Sequence, residues 1–174
     1  EFYLTARSAL RQNGILCQRL QYADFGREPI EDLLATMRSA FPQVALIETA
    51  PGEMLILATT RPGPLVNAET LDRCQTPHIR GLMAQVGWDW SVLMNLGAIR
   101  PTAVDALASE QGTPNSIRNG RLAYTLPQEV LRWSSPQLPK WKQRQQLLSA
   151  HADRMLAWID EDDKTKQVEQ RLAD

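Results

Sequence analysis

The tetrapeptide Ala50-Pro51-Gly52-Glu53 lies between two short apolar runs, residues 44–48 and 54–59, and constrains the fold more than any other feature of the chain. Pro followed by Gly favours a type II turn, whose second central residue takes a positive φ. A connection this short can only reverse the chain, so the two runs are expected to pair as an antiparallel hairpin. Upstream, Ile15-Leu16-Cys17 is too brief for a helix after Gly14, and residues 14–20 read as a buried strand with Cys17 as a small apolar filler. Pro29 suits the first position of a helix whose apolar face is Ile30, Leu33, Leu34, Met37 and Phe41, and Pro42 ends it. Strand, helix, strand is a crossover unit, expected to be right-handed and parallel. Before it, Phe2, Ala6 and Leu10 recur at i+4, with Tyr3 and Ala9 beside them, and predict an opening helix. Gly14 stands where such a helix wants a residue tolerant of positive φ.

The order helix, strand, helix, strand, turn, strand predicts an α/β chain. It suits the trailing edge of a mostly parallel sheet with one antiparallel strand near that edge. An opening helix with no strand before it implies earlier strands upstream, and the initial Glu1 suits a piece of something longer or a processed terminus. Arg61-Pro62-Gly63-Pro64 marks a boundary. Residues 1–63 are thus an α/β part and residues 64–174 a helical extension. In the extension, Ile79, Leu82, Met83 and Val86 follow a break near Pro77 and stop at Gly87. Trp88 to Leu96 reads as a short helix stopped by Gly97, and Pro101 to Gln111 as another. Residues 113–139 hold four prolines and read as irregular, with a short helix near Leu131. The last helix carries Trp141, Leu148, Ala152, Met155 and Ile159 as one stripe.

Composition excludes several classes. At 43% hydrophobic and 22% charged, the chain is that of an ordinary globular protein. A formal net charge of -1 sets up no field that would recruit nucleic acid, and no apolar stretch approaches the roughly 20 residues of a membrane helix. No secretory signal is legible, and Cys17 and Cys74 form no CxxC pair. The default compartment is therefore reducing and cytoplasmic. An unpaired strand edge and uncovered apolar helix faces favour a homodimer.

Few residues carry chemistry. His78 and His151 are far apart and form no metal-ligand pair. The run Asp160-Glu161-Asp162-Asp163 lacks calcium-loop spacing and reads as a solvated helix end. There is no GxSxG elbow, GxGxxG loop or P-loop, and nothing marks a base for Cys74. Lys140, Lys142 and Arg144 around Trp141 read as a helix surface. No catalytic, cofactor-binding or metal residue emerges. Gln18 is the one polar residue that looks placed. It closes the apolar run at the carboxyl end of a strand, where open α/β sheets bind ligands, and a capping hydrogen bond explains it equally well.

Glu1-Phe2-Tyr3, Ala9-Leu10 and Asn13-Gly14-Ile15-Leu16-Cys17-Gln18 resemble the spermidine synthase family of aminopropyltransferases, in which an EFY-like helix runs into an L-x-x-G-G/I-L-x-x-Q strand. Ala40-Phe41-Pro42-Gln43-Val44 is similar to the FP-x-V after the next helix, and residues 54–58 resemble the strand ending the sheet. Residues 115–127 are loosely similar to the N-T-D-x-x-P-x-x-E segment of large spermidine-synthase-like proteins whose N-terminal halves span membranes. The resemblance covers residues 1–60 and 113–127. It implies the last three strands of a class I methyltransferase-like sheet, in a piece whose parent is membrane-anchored. The family moves an aminopropyl group from decarboxylated S-adenosylmethionine to a polyamine amine. The family's nucleotide loop and catalytic aspartates lie upstream of this chain and carry over to no residue of it, so the piece alone is expected to be inactive. Only Gln18 carries over, matching a glutamine that lines the polyamine pocket. The chain departs from the family at Glu48-Thr49-Ala50-Pro51-Gly52, which lacks the family's tyrosine. It departs again at Ser116-Ile117-Arg118-Asn119, which lacks its acidic pair. A helical protein–protein interaction module carried on an α/β stub is the alternative reading.

Overall fold

A computed structural model describes residues 1–22, 25–61, 65, 75–110, 112–133 and 153–154. The chain divides into two compact units. One takes Glu1–Arg61 with Ala98–Ala152, and the other Pro62–Gly97 with Asp153–Asp174.

In the first unit α1 (Phe2–Ala9) leads into β1 (Ile15–Gln21). The turn between them differs from expectation. Asn13, not Gly14, takes the positive φ of 62°, as asparagine can. Gly14 serves close approach instead, since a Cβ there would lie 2.9 Å from the Arg11 carbonyl oxygen. The helix face is also rotated from the predicted one. Tyr3, Ala6 and Leu10 are half-buried, whereas Phe2 is 70% exposed.

α2 (Arg27–Arg38) follows, then β2 (Gln43–Ala50) and β3 (Glu53–Thr59). β2 and β3 form the expected antiparallel hairpin, with Gly52 at φ 85° as the type II turn requires. β3 pairs antiparallel on its other side with β1. The crossover strands β1 and β2 therefore run in the same direction but do not pair, because β3 lies between them. The helical extension is not wholly helical. Within residues 64–174 a further short strand, β4 (Gly97–Ile99), sets Ala98 against Ile47 and Ile99 against Leu46. The first unit thus carries a four-strand antiparallel sheet in the order β1-β3-β2-β4. The mostly parallel sheet expected from the sequence is not what forms, since each neighbouring pair among β1 to β4 is antiparallel. Gly97 is more than a helix stop, because Ala98 and Ile99 are almost fully buried and strand pairing satisfies their backbone.

One face of the sheet carries the core. Leu20, Val44, Leu46, Met54, Ile56, Ala58 and Ile99 pack with Ile30, Leu33, Leu34, Met37 and Phe41. α5 (Pro101–Glu110) adds Val104 and Leu107. Each fully buried aliphatic or aromatic side chain contributes about 1.5–3 kcal/mol. On the opposite face of β1, Cys17 is exposed and Ile15 is 47% exposed, which corrects the reading of Cys17 as a buried filler. Strand alternation turns Ile15, Cys17, Arg19 and Gln21 to that face.

α2 is buried all round, from Pro29 to Met37, rather than on one face. The segment after α5 and α6 (Arg121–Trp133) cover its polar side. α6 contains the short helix expected near Leu131 but starts ten residues before it and holds Pro127 inside it. Close packing fixes this docking. A Cβ on Gly112 would fall 2.6 Å from the Glu31 carbonyl oxygen, and one on Gly26 2.5 Å from Glu129 Oε2. The Glu129 carboxylate thereby lies at the N-terminus of α2, where the helix dipole favours negative charge.

In the second unit α3 (Pro77–Gln85) begins on the proline once read as a break, and its end is followed by Gly87 at φ 72°. α4 (Trp90–Met94) is capped by Asp89, which accepts from Val92 N at 3.2 Å. A two-residue strand, β5 (Asp153–Arg154), also belongs to this unit and stands where the sequence predicts part of the last helix. Among the described residues no helix is long and apolar enough to cross a membrane. The predicted tail stripe from Trp141 to Ile159, the Lys140 cluster, Cys74, His151 and the acidic run at 160–163 lie outside the described residues.

Candidate functional site

Gln18 sits in the middle of β1, not at its carboxyl end, because the strand runs three residues further to Gln21. Its side chain shares the helix-covered face with Leu16 and Leu20, and its Cα partner on β3 is Ile56. A primary amide among aliphatic neighbours needs a partner. α1 supplies one: the Tyr3 hydroxyl donates to Gln18 Oε1 at 2.9 Å. The predicted strand-end cap is therefore a helix-to-strand bond. Burial raises the Tyr3 pKa above that of an ordinary tyrosine, and the bond to Gln18 offsets part of that rise. The phenol therefore remains a proton donor throughout the neutral range. The Tyr3 ring also meets Phe2 edge-on, with centroids 5.2 Å apart.

A second polar pair lies on the same face at the carboxyl ends of the parallel strands. The Tyr22 hydroxyl donates to Glu48 Oε1. Tyr22 is 4% exposed, and its backbone N–H donates to the Gly52 carbonyl at 2.9 Å, which ties the strand end to the hairpin turn. Glu48 lies two residues beyond Leu46 on β2, and Leu46 stands opposite Ile56. Tyr3–Gln18 and Tyr22–Glu48 therefore occupy successive levels of one sheet face. A carboxylate and two phenols are groups that can hold an amine. Sequence reasoning singled out Gln18 alone. Tyr3, Tyr22 and Glu48 were visible only as a helix residue, a connection and a strand end, because the Tyr22–Glu48 pairing is set by register across β3 and the Tyr3–Gln18 bond by the docking of α1.

On the opposite sheet face Arg19 and Glu53 form an exposed ion pair at 2.5 Å, and Arg19 holds the Glu53 carboxyl below its usual pKa. A shallow groove of about 560 Å³ is lined by Ala35, Arg38, Ser39, Asp105, Ala108 and Gly112. Its charged groups, Arg38 and Asp105, are paired with each other. His78 is exposed on α3. Among the described residues no three His, Cys, Asp or Glu side chains gather as a metal site.

No protein-family model matches the chain, and no curated protein and no solved structure matches it.

Proposed function

We propose that this chain is the C-terminal part of a spermidine synthase-like, aminopropyltransferase-type protein, without a complete active site of its own, and that Gln18 lines its amine-substrate pocket. The observation that carries this reading is the Tyr3–Gln18 hydrogen bond. It holds an amide at a chosen place on the covered face of β1, the position that the resemblance of residues 1–18 singles out. The antiparallel β3 between the parallel β1 and β2 supports the trailing edge of a methyltransferase-like sheet. The Glu48 carboxylate, on the same face, suits a cationic polyamine. The parent is the membrane-anchored kind, with its cytoplasmic part including this chain.

The test is a titration of the chain with 1,4-diaminobutane, read by the side-chain amide signals of Gln18. A millimolar response confined to Gln18, Tyr3 and the Glu48 region, and abolished in Gln18→Leu, is expected. No response at Gln18, or an equal response to sodium chloride at matched ionic strength, overturns the reading.

One observation favours the alternative interaction module. α3 buries none of its residues and leaves Leu82 47% exposed, and just beyond it Val86 is 67% and Trp88 38% exposed. Apolar groups this exposed suit a partner surface. Val86→Asp, with the fold intact by circular dichroism, would abolish capture of such a partner and leave the diamine response untouched.

A further inference from the structure

The Tyr3–Gln18 bond has a direction. A phenol has one hydrogen to give and an amide has two different ends. Tyr3 gives its hydrogen to Oε1 at 2.9 Å, so Nε2 lies on the far side of the amide carbon. Among the described residues no acceptor meets Nε2. The terminal torsion of glutamine is broad and roughly two-fold, so Leu16 and Leu20 cannot select one end by shape.

Resting on the reading of Gln18 as a substrate-binding residue, we infer that Tyr3 is a positioning residue that fixes which end of the Gln18 amide a ligand meets. It turns the Nε2 donors toward the ligand and leaves lone pairs on its own oxygen beside them. The pair thus offers a donor and an acceptor together. That combination matches a neutral primary amine, whose nitrogen both accepts and donates, better than an ammonium group, which only donates.

The surroundings make the arrangement readable. Arg7 on α1 donates to the Ala40 carbonyl, and Arg19 on β1 lies on the opposite sheet face against Glu53. Burial and the bond to Gln18 are the influences on Tyr3 ionisation, so that ionisation reports on the pair itself. A phenolate can only accept. Once Tyr3 ionises, the amide must turn so that Nε2 donates to it.

The experiment follows the Gln18 side-chain amide by nitrogen–proton correlation spectra of the full chain as pH rises past the ordinary tyrosine value of about 10. The Gln18 signals are expected to titrate with a midpoint above that value. Tyr3→Phe keeps the ring and should keep the backbone spectrum, yet abolish the titration. Tyr22→Phe should leave it unchanged. Gln18 signals that stay fixed in the wild type, or titrate equally in Tyr3→Phe, overturn the inference, because a ring that only packs has no such effect. The diamine response separates the two claims. If Tyr3→Phe removes the pH response while 1,4-diaminobutane moves Gln18 in neither protein, the positioning role stands and the amine-pocket reading falls. If diamine moves Gln18 equally in wild type and Tyr3→Phe, the pocket stands and the positioning role falls.

Discussion

Arg121 Nε donates to Asp32 Oδ2 at 2.8 Å across 89 positions of sequence, and Asp32 is fully buried in the middle of α2. The other Asp32 oxygen accepts from the Thr113 backbone N–H at 2.7 Å. One turn further along α2, the Thr36 hydroxyl accepts from the Asn115 backbone N–H at 2.7 Å. Arg121 also reaches Glu28 at 2.8 Å. These bonds join the segment after α5, and the start of α6, to a helix that would otherwise expose its polar side.

Asp32→Ala should therefore destabilise the first unit by about 2–4 kcal/mol, because it strands the Thr113 N–H and removes a charge-assisted bond. Asp32→Asn, which retains an acceptor for Thr113, should cost less. Urea melts with an unchanged denaturant slope are the measurement. A midpoint for Asp32→Ala within error of the wild type would show that the network contributes nothing net.

Gly52 at φ 85° closes the β2–β3 hairpin. Gly52→Val should cost roughly 1–3 kcal/mol, since a β-branched residue is strained at positive φ. Gly52→Asn should cost less, because asparagine tolerates that region. Equal stability of the valine and asparagine variants in the same melts would contradict the turn geometry.

What the sequence could and could not reveal follows from the range of each interaction. Pro51-Gly52 announced the hairpin because turn chemistry is local. α2, α4 and α5 were legible from proline and glycine punctuation and from apolar spacing. β4 was not, because a three-residue strand has no period of its own and exists only against β2. α6 was expected only as a short helix near Leu131, because Pro127 argued against a longer one, whereas Leu122 on the core and Arg121 on Asp32 hold its first turns in place. Gln18 stood out as a polar residue ending an apolar run. Its partner Tyr3, 15 positions earlier, could be found only once the helix face had been rotated into place.

Asp89 caps α4, and its carboxyl pKa lies below the usual value, first through the Ser91 hydroxyl and then through the Val92 N–H. A depressed folded-state pKa means that the cap's contribution is present above the ordinary carboxylate value of about 4 and is lost as pH falls through the lower folded value. Hydrogen exchange at the Val92 amide should accelerate, relative to a reference helix, across that acidic window. Asp89→Asn, which has no titrating group, should flatten this dependence, and Asp89→Ala should raise exchange even at neutral pH. An Asn variant retaining the wild-type pH profile would assign the effect to another group.

The last prediction concerns the outer edge of β1. Tyr22 N–H donates toward β3, so the even-numbered residues of β1 turn their backbone groups inward. By alternation, Ile15, Cys17, Arg19 and Gln21 turn theirs outward. Among the described residues no strand pairs with that edge. It carries none of the usual guards: there is no proline in Ile15–Gln21, and its one charge, Arg19, is neutralised by Glu53. An antiparallel copy about a twofold axis through Gln18 would set Cys17 against the copy's Arg19 rather than arginine against arginine, with exposed Ile15 adding apolar area. A homodimer at micromolar concentration is the expected outcome, measured by light scattering. Replacing Cys17 by proline removes an outward N–H and sparing replacement by serine does not, so Cys17→Pro should give the monomer and Cys17→Ser the dimer. A monomer mass for the wild type across a hundredfold dilution from high micromolar concentration would mean that the edge is not a self-pairing surface.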